Sequence, residues 1–112
     1  MAGDPIRLDT EQKGDWTVWR VGGRLDRMTA QAADEKGDGL LASCGKLAME
    51  MSELKYISSG GIRVLIRLAK KAKAEGKDFA LCAPQGMVEA VLTETHLDVF
   101  MKIYSSVDEL QK

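Results

Sequence analysis

The chain has 112 residues, 29% of them charged, with acids and bases nearly cancelling to a net charge of −1. That length suits one domain with a single core, and the charge balance excludes a general nucleic-acid binder, whose affinity rests on an excess of Lys and Arg over phosphate. No apolar run approaches the roughly 18–20 residues that cross a bilayer, and the start MAGDPIRLDTEQ lacks the basic-then-apolar layout of a signal peptide, so a cytoplasmic protein without membrane insertion is expected.

In chain order, residues 6–10 read as a weak strand, joined through the polar turn around Gly14 to a stronger one at 16–21 that is rich in β-branched and aromatic residues and stops at Gly22 and Gly23. Trp16 and Trp19 fall on opposite faces of that strand, so one of them is exposed, as part of a contact surface, unless a helix covers it. Apolar or small residues then recur at 30, 33, 37, 40, 41 and 44, which is helical spacing with Thr29 as its N-cap. Gly37 and Gly39 each cost on the order of 1 kcal/mol there relative to Ala, which predicts a frayed or locally broken helix. Residues 46–51 read as a short strand. The clearest element follows the serines: Ile62, Leu65, Ile66, Leu68, Ala69 and Ala72 form one face of a helix, with Arg63, Arg67, Lys70 and Lys71 opposite and Gly76 as its end. The basic face reads as a solvated surface or as one that steers an acidic partner. Residues 78–83 read as a buried strand, and Pro84 as the first turn of a helix that turns Met87, Val88, Val91 and Leu92 inward. A short strand at 99–104 and a last helix begun by Ser105 and Ser106, with Val107 and Leu110 apolar, complete the order β-β-α-β-α-β-α-β-α. Such alternation predicts an α/β fold over residues 1–112, ordered from about 6 to 111: a mixed, mostly parallel β-sheet packed with about four α-helices.

The stretch KYISSGGIRVLI at 55–66 carries the chemistry. A helix N-terminus presents unpaired N–H groups and a partial positive charge. Ser58 and Ser59 stand just before the first turn, and Gly60 and Gly61 omit the Cβ atoms that would hold a backbone or a phosphate away. A phosphate on Ser58 would gain N–H donors there, with Arg63 within reach from the first helical turn, and would oppose any partner packed over it. The plainer reading, a serine N-cap followed by turn glycines, stays open. No catalytic residue, metal or cofactor is expected. The stretch is not GxSxG, no Walker sequence exists, and the single histidine, His96, leaves little for a zinc site or a His-based catalytic pair. Cys44 and Cys82 are far apart without a CxxC and read as reduced, buried thiols.

Four segments, in order, carry a resemblance: GRLD at 23–26 with Thr29 and Ala30, MSELKYISSG at 51–60, LCAPQGMVEAVL at 81–92, and LDVF at 97–100 with IYSSVDEL at 103–110. From about residue 6 onward the chain resembles STAS domains of the anti-sigma factor antagonist type. That resemblance implies a bacterial regulator, not an enzyme. Its partner would be an anti-sigma factor that is also a serine kinase of the histidine-kinase-like ATPase fold, bound when the antagonist is unphosphorylated and released when it is phosphorylated, with a serine phosphatase resetting the cycle. By position the acceptor is Ser58, with Ser59 the secondary candidate. Asp26 matches the Leu-Asp loop near the acceptor and is expected in the partner surface with Ser58, Ser59, Gly60, Gly61 and Arg63; its other reading is a turn residue bonding its own backbone. Three departures stand out: Ile57 replaces the aspartate that many members carry before the acceptor, Gly61 suggests a looser turn, and His96 stands where a glycine usually ends the third helix, which makes it a helix stop tolerant of positive φ. Ile57 favours an alternative on the same fold, a docking or scaffold module without phosphorylation in a signalling or lipid-transport assembly. A third reading is a small nucleotide-binding protein using the SSGG helix N-terminus as a phosphate cradle.

Overall fold

The computed structural model describes residues 7–111. Strands β1 (Arg7–Lys13) and β2 (Trp16–Leu25) form an antiparallel hairpin in which Lys13 faces Trp16, so only Gly14 and Asp15 make the turn. Gly14 takes φ 61°, the left-handed value that a two-residue hairpin turn demands. From β2 the sheet grows by parallel pairing through β3 (Lys46–Glu50), β5 (Asp78–Cys82) and β6 (Lys102–Tyr104), with Trp19, Met49, Leu81 and Ile103 lying across it on one face. The far end of β2 pairs instead with β4 (Leu54–Ile57), in parallel. The fold is therefore the expected α/β arrangement around a mixed, mostly parallel sheet, here with three α-helices: α1 (Ala30–Ser43), α2 (Ser59–Ala74) and α3 (Gly86–Glu94).

Several boundaries differ from expectation, each for a local reason. Strand β2 does not stop at Gly22 and Gly23 but runs on to Leu25. Gly23, at φ 85°, sits where the register with β4 shifts, so the glycine bends the strand without ending it. Strand β4 went unseen because four residues after a turn are too few to show a period. Helix α1 is continuous through Gly37 and Gly39. A Cβ on Gly37 would lie 2.7 Å from a Leu68 methyl and 3.2 Å from the Trp19 ring, so the glycine lets α1 close onto α2 and β2, and this packing outweighs its poor propensity. Pro84 precedes α3 instead of opening it, because Ala83 turns at φ 57° after β5 and Gln85 becomes the N-cap; Met87 faces outward and only Val88 and Leu92 are fully buried.

Two helix ends match their sequence signals. Gly76, at φ 70°, follows α2, and the Lys77 and Gly76 amides donate to the Ala72 (2.8 Å) and Lys73 (3.2 Å) carbonyls, the double closure of a Schellman motif. His96 sits at φ 56°, ψ 40°, and ends α3. It diverts the chain into a 3-10 turn at Leu97–Val99, so the expected strand at 99–104 shrinks to β6 and leaves Val99 and Phe100 exposed. The expected last helix is a 3-10 turn, Val107–Gln111.

The apolar residues divide over the two faces of the sheet. Trp19, Leu47, Met49 and Leu81 meet Leu65 and Leu68 of α2 in the main core. On the reverse face Trp16, Val18, Ala48, Ala80 and Cys82 are covered by Leu110, whose carbonyl accepts the Trp16 indole N–H at 3.1 Å. The tryptophans thus point to opposite faces, and both are buried. Both cysteines are free thiols; Cys82 is fully buried, which pushes its pKa up to about 12, whereas Cys44, expected inside, is only half-buried beyond the end of α1. No helix among the described residues is long and apolar enough to cross a membrane.

Candidate functional site

The site forms where β2 and β4 end side by side and the chain enters α2. Ile57, 2% exposed, anchors the end of β4 in the core, and the Ser58 amide donates to the Leu25 carbonyl at 3.0 Å. Ser58 is then the N-cap of α2 by backbone, at φ −107° and ψ 178°, and its carbonyl accepts the first intrahelical bond from the Ile62 amide at 2.9 Å. The amides of Ser59, Gly60 and Gly61 precede that bond and carry the positive end of a 16-residue helix. The Ser58 hydroxyl does not cap them. Its Oγ exposes less than 1 Å² and has no hydrogen-bond partner, so the side-chain capping expected of this serine is not realised. Ser59, the first residue of the helix, is exposed.

The two glycines have different reasons. A Cβ on Gly61 would fall 2.6 Å from the Leu25 carbonyl oxygen and 2.8 Å from an Ile57 side-chain carbon, so Gly61 is the contact at which α2 closes on the strand ends. The looser turn expected from Gly61 is instead a close approach. A Cβ on Gly60 would lie 3.5 Å from the Arg27 Cα and 3.6 Å from Ser58 Oγ, ordinary contact distances.

Facing Ser58, the loop after β2 is held by Asp26 and Thr29. The Asp26 Oδ1 accepts the amides of Met28 (2.9 Å) and Thr29 (3.2 Å), while Thr29 Oγ1 accepts the Asp26 amide (2.9 Å) and donates to the Arg24 carbonyl (2.8 Å). Thr29 is thus the N-cap residue of α1 by position, with its hydroxyl engaged by the loop in place of the helix. Arg24 lies 4.1 Å over the Tyr56 ring and 3.3 Å from Asp26 Oδ2. Partial burial pushes the Asp26 carboxyl up, but the Met28 amide, the Arg24 guanidinium and the Thr29 amide together hold it below the usual carboxylate range. Asp26 is therefore a turn residue, and it also borders a cleft of about 440 Å³ with Arg27, Met28, Ser58, Gly60 and Arg63. The structure brings together Asp26, Ser58, Ser59, Gly60 and Arg63 on this cleft and leaves Gly61 beneath it.

Arg27 and Met28 were missed. Met28 is 84% exposed, an apolar side chain displayed by the Asp26 turn. The trace in the sequence is an Arg-Met pair directly after the GRLD segment, where a tight turn leaves side chains nowhere to go but outward. The basic face of α2 is only partly solvated. Arg67 binds Asp34 and Asp38 of α1, the latter at 2.7 Å, and Lys71 binds Asp38 at 3.1 Å, so the expected open stripe is half engaged in joining two helices. The Arg67 guanidinium, aided by Lys71, holds the Asp38 carboxyl below its ordinary range. Among the described residues no cluster of His, Cys, Asp and Glu has the makings of a metal site.

Comparison with known proteins bears on the fold and the family. A curated relative from Thermotoga maritima, named "Putative anti-sigma factor antagonist", is 34% identical over 64 residues, 57% of this chain and 57% of the relative, so the match spans little more than half of either. The crystal structure of an anti-sigma factor antagonist of that name from the same organism superposes with a TM-score of 0.85 at 24% identity, covering 93% of this chain and 91% of the other. The phosphorylated form of the Bacillus cell-fate determinant SpoIIAA superposes with a TM-score of 0.70 at 15% identity, over 92% of this chain and 95% of that one, a likeness of fold. The family model for the STAS domain matches residues 7–110, and the chain belongs to the STAS domain family.

Proposed function

We propose that this chain is an anti-sigma factor antagonist-like regulator in a partner-switching pathway, with Ser58 as its switch. Unphosphorylated, it binds an anti-sigma factor that is also a serine kinase of the histidine-kinase-like ATPase fold; phosphorylated on Ser58, it is released, and a serine phosphatase resets it. The docking surface is the cleft rim, from Asp26 and Met28 to Ser58, Ser59 and Arg63.

The observation that carries this reading is the unpartnered Ser58 hydroxyl. A hydroxyl that holds no bond in the fold is modified without breaking one, and it stands at the N-terminus of a long helix with arginines nearby. Transfer needs a rotation about the Ser58 Cα–Cβ bond that brings Oγ out of its buried position. The oxygen then attacks the γ-phosphorus of the kinase's ATP, the bond to the ADP oxygen breaks, and the hydroxyl proton passes to a base of the kinase. This chain contributes the acceptor and the surface, not the catalyst. The new group carries nearly two negative charges at neutral pH, and burying it uncompensated at a dry interface would cost a few kcal/mol, enough to release a partner.

One observation favours a second reading, docking without a switch. Ile57 occupies the core where a carboxylate would orient the hydroxyl, and Oγ is withdrawn from the surface. Tagged wild-type, Ser58→Ala and Ser58→Glu chains expressed in the native host separate the two. The switch requires the ATPase to remain with Ser58→Ala and to be lost from Ser58→Glu; equal retention by all three is the outcome of the docking module.

A further inference from the structure

Four arginines border the cleft and the groove between α1 and α2 that continues it, and they are not equivalent. Arg24 is held by Asp26 and Tyr56, and Arg67 by Asp34 and Asp38. Arg27 and Arg63 have no ion pair among the described residues, although both are exposed and line both hollows. Arg27 is carried directly over the helix N-terminus, its Cα 3.5 Å from where a Cβ of Gly60 would stand. Arg63 reaches the same cleft from the first turn of α2. The same cleft is lined by Ser58, whose Oγ is the one buried side-chain oxygen among the described residues that has no partner.

We infer that Arg27 and Arg63 form a clamp that holds the phosphate of phosphoserine 58 within the same chain, together with the free amides at the start of α2. The inference rests on the reading of Ser58 as the modified residue and adds what becomes of the phosphate afterwards. The charged and titratable groups that face it are Arg24 and Asp26 from the end of β2 and its loop, Arg27 from that loop, the Tyr56 phenol from β4 and Arg63 from α2. Three arginines against one aspartate leave two positive charges in the cleft, matching the nearly two negative charges of the phosphate. Planar guanidinium groups also suit bidentate contact with phosphate oxygens. On this account phosphorylation acts by more than repulsion: it occupies the two unpaired arginines and so removes them from the surface offered to an acidic partner.

The test uses full-length protein with phosphoserine installed at position 58 during synthesis by a suppressor system, and follows the phosphorus NMR signal with pH. A clamped phosphate favours its dianion, so its second pKa falls below the ordinary value of about 6 found in a control phosphopeptide KYISSGG. Arg27→Gln and Arg63→Gln should each raise it again, and the double variant should bring it most of the way to the peptide value, the helix amides and Arg24 keeping the remainder, while Lys70→Gln, an exposed residue of α2 away from the cleft, changes nothing. Both arginines are exposed, and the melting curves of the unphosphorylated variants check that each is folded. A phosphate that titrates as in the peptide, or one whose depressed pKa ignores both substitutions, overturns the clamp. Because no kinase is involved, either result leaves the assignment of Ser58 as a cellular phosphoacceptor to be decided separately.

Discussion

Gly60 and Gly61 are adjacent, identical in composition and opposite in tolerance. A methyl on Gly61 meets the Leu25 carbonyl at 2.6 Å, a backbone atom that cannot yield without moving β2. Gly61→Ala should therefore lower stability by about 1–3 kcal/mol, the usual range for overpacking a closed contact. Gly60→Ala should be neutral or stabilising, since it meets nothing closer than 3.5 Å and gains helix propensity. Urea titrations of the two variants decide this, and equal losses would contradict the distinction. At this scale the sequence displayed the right residues without their roles. The SSGG run and the Asp26 loop were legible because their types and spacing are local. That Ser58 Oγ is orphaned emerges only in the fold, and that Gly61 is a packing residue depends on Leu25, more than 30 positions away, a contact no local pattern encodes.

Among the elements, α1 shows how packing overrides propensity. Its two glycines predict a break, yet the helix is whole because one of them admits Leu68 and Trp19. Gly39 has nothing within 4 Å of its missing Cβ, so Gly39→Ala should stabilise the protein by about 0.5–1 kcal/mol, as at an exposed helix interior. Gly37→Ala should give no such gain and should displace the Leu68 methyls; a rise in melting temperature for both would contradict the contact. The ion pairs from Asp38 to Arg67 and Lys71 tie α1 to α2 at the surface. Because the Asp38 carboxyl is held below its unfolded value of about 3.9, its contribution is complete above that pH and is lost as pH falls through the lower folded value. Asp38→Asn should thus cost well under about 1 kcal/mol at pH 7, with the difference from wild type shrinking in high salt and disappearing as pH falls through the lowered folded value. The long amphipathic helix was legible end to end because its stripe and its Schellman glycine agree. The short strand β4 and the 3-10 turns were not, because three to five residues carry no period, and β4 is placed by its register with β2.

Over the whole molecule, the alternation of strands and helices was enough for the architecture, since parallel neighbours with helical crossovers leave few ways to arrange so few strands. What the alternation does not reveal is that β2, besides its hairpin with β1, serves two parallel partners, β3 along its first part and β4 along its last, and this split brings the Asp26 loop and Ser58 to the same cleft. The central claim is that Ser58, left without a bond by the fold, is the residue through which the protein is switched. Phosphosite mapping with intact-mass measurement, on the protein recovered from its native host across growth and stress conditions and beside a Ser58→Ala version, tests it most directly. The expected result is a fraction carrying one phosphate, located on Ser58 and absent from the alanine version. A protein that never carries phosphate on Ser58 under any condition, or one whose phosphate lies elsewhere and persists in Ser58→Ala, would contradict the account.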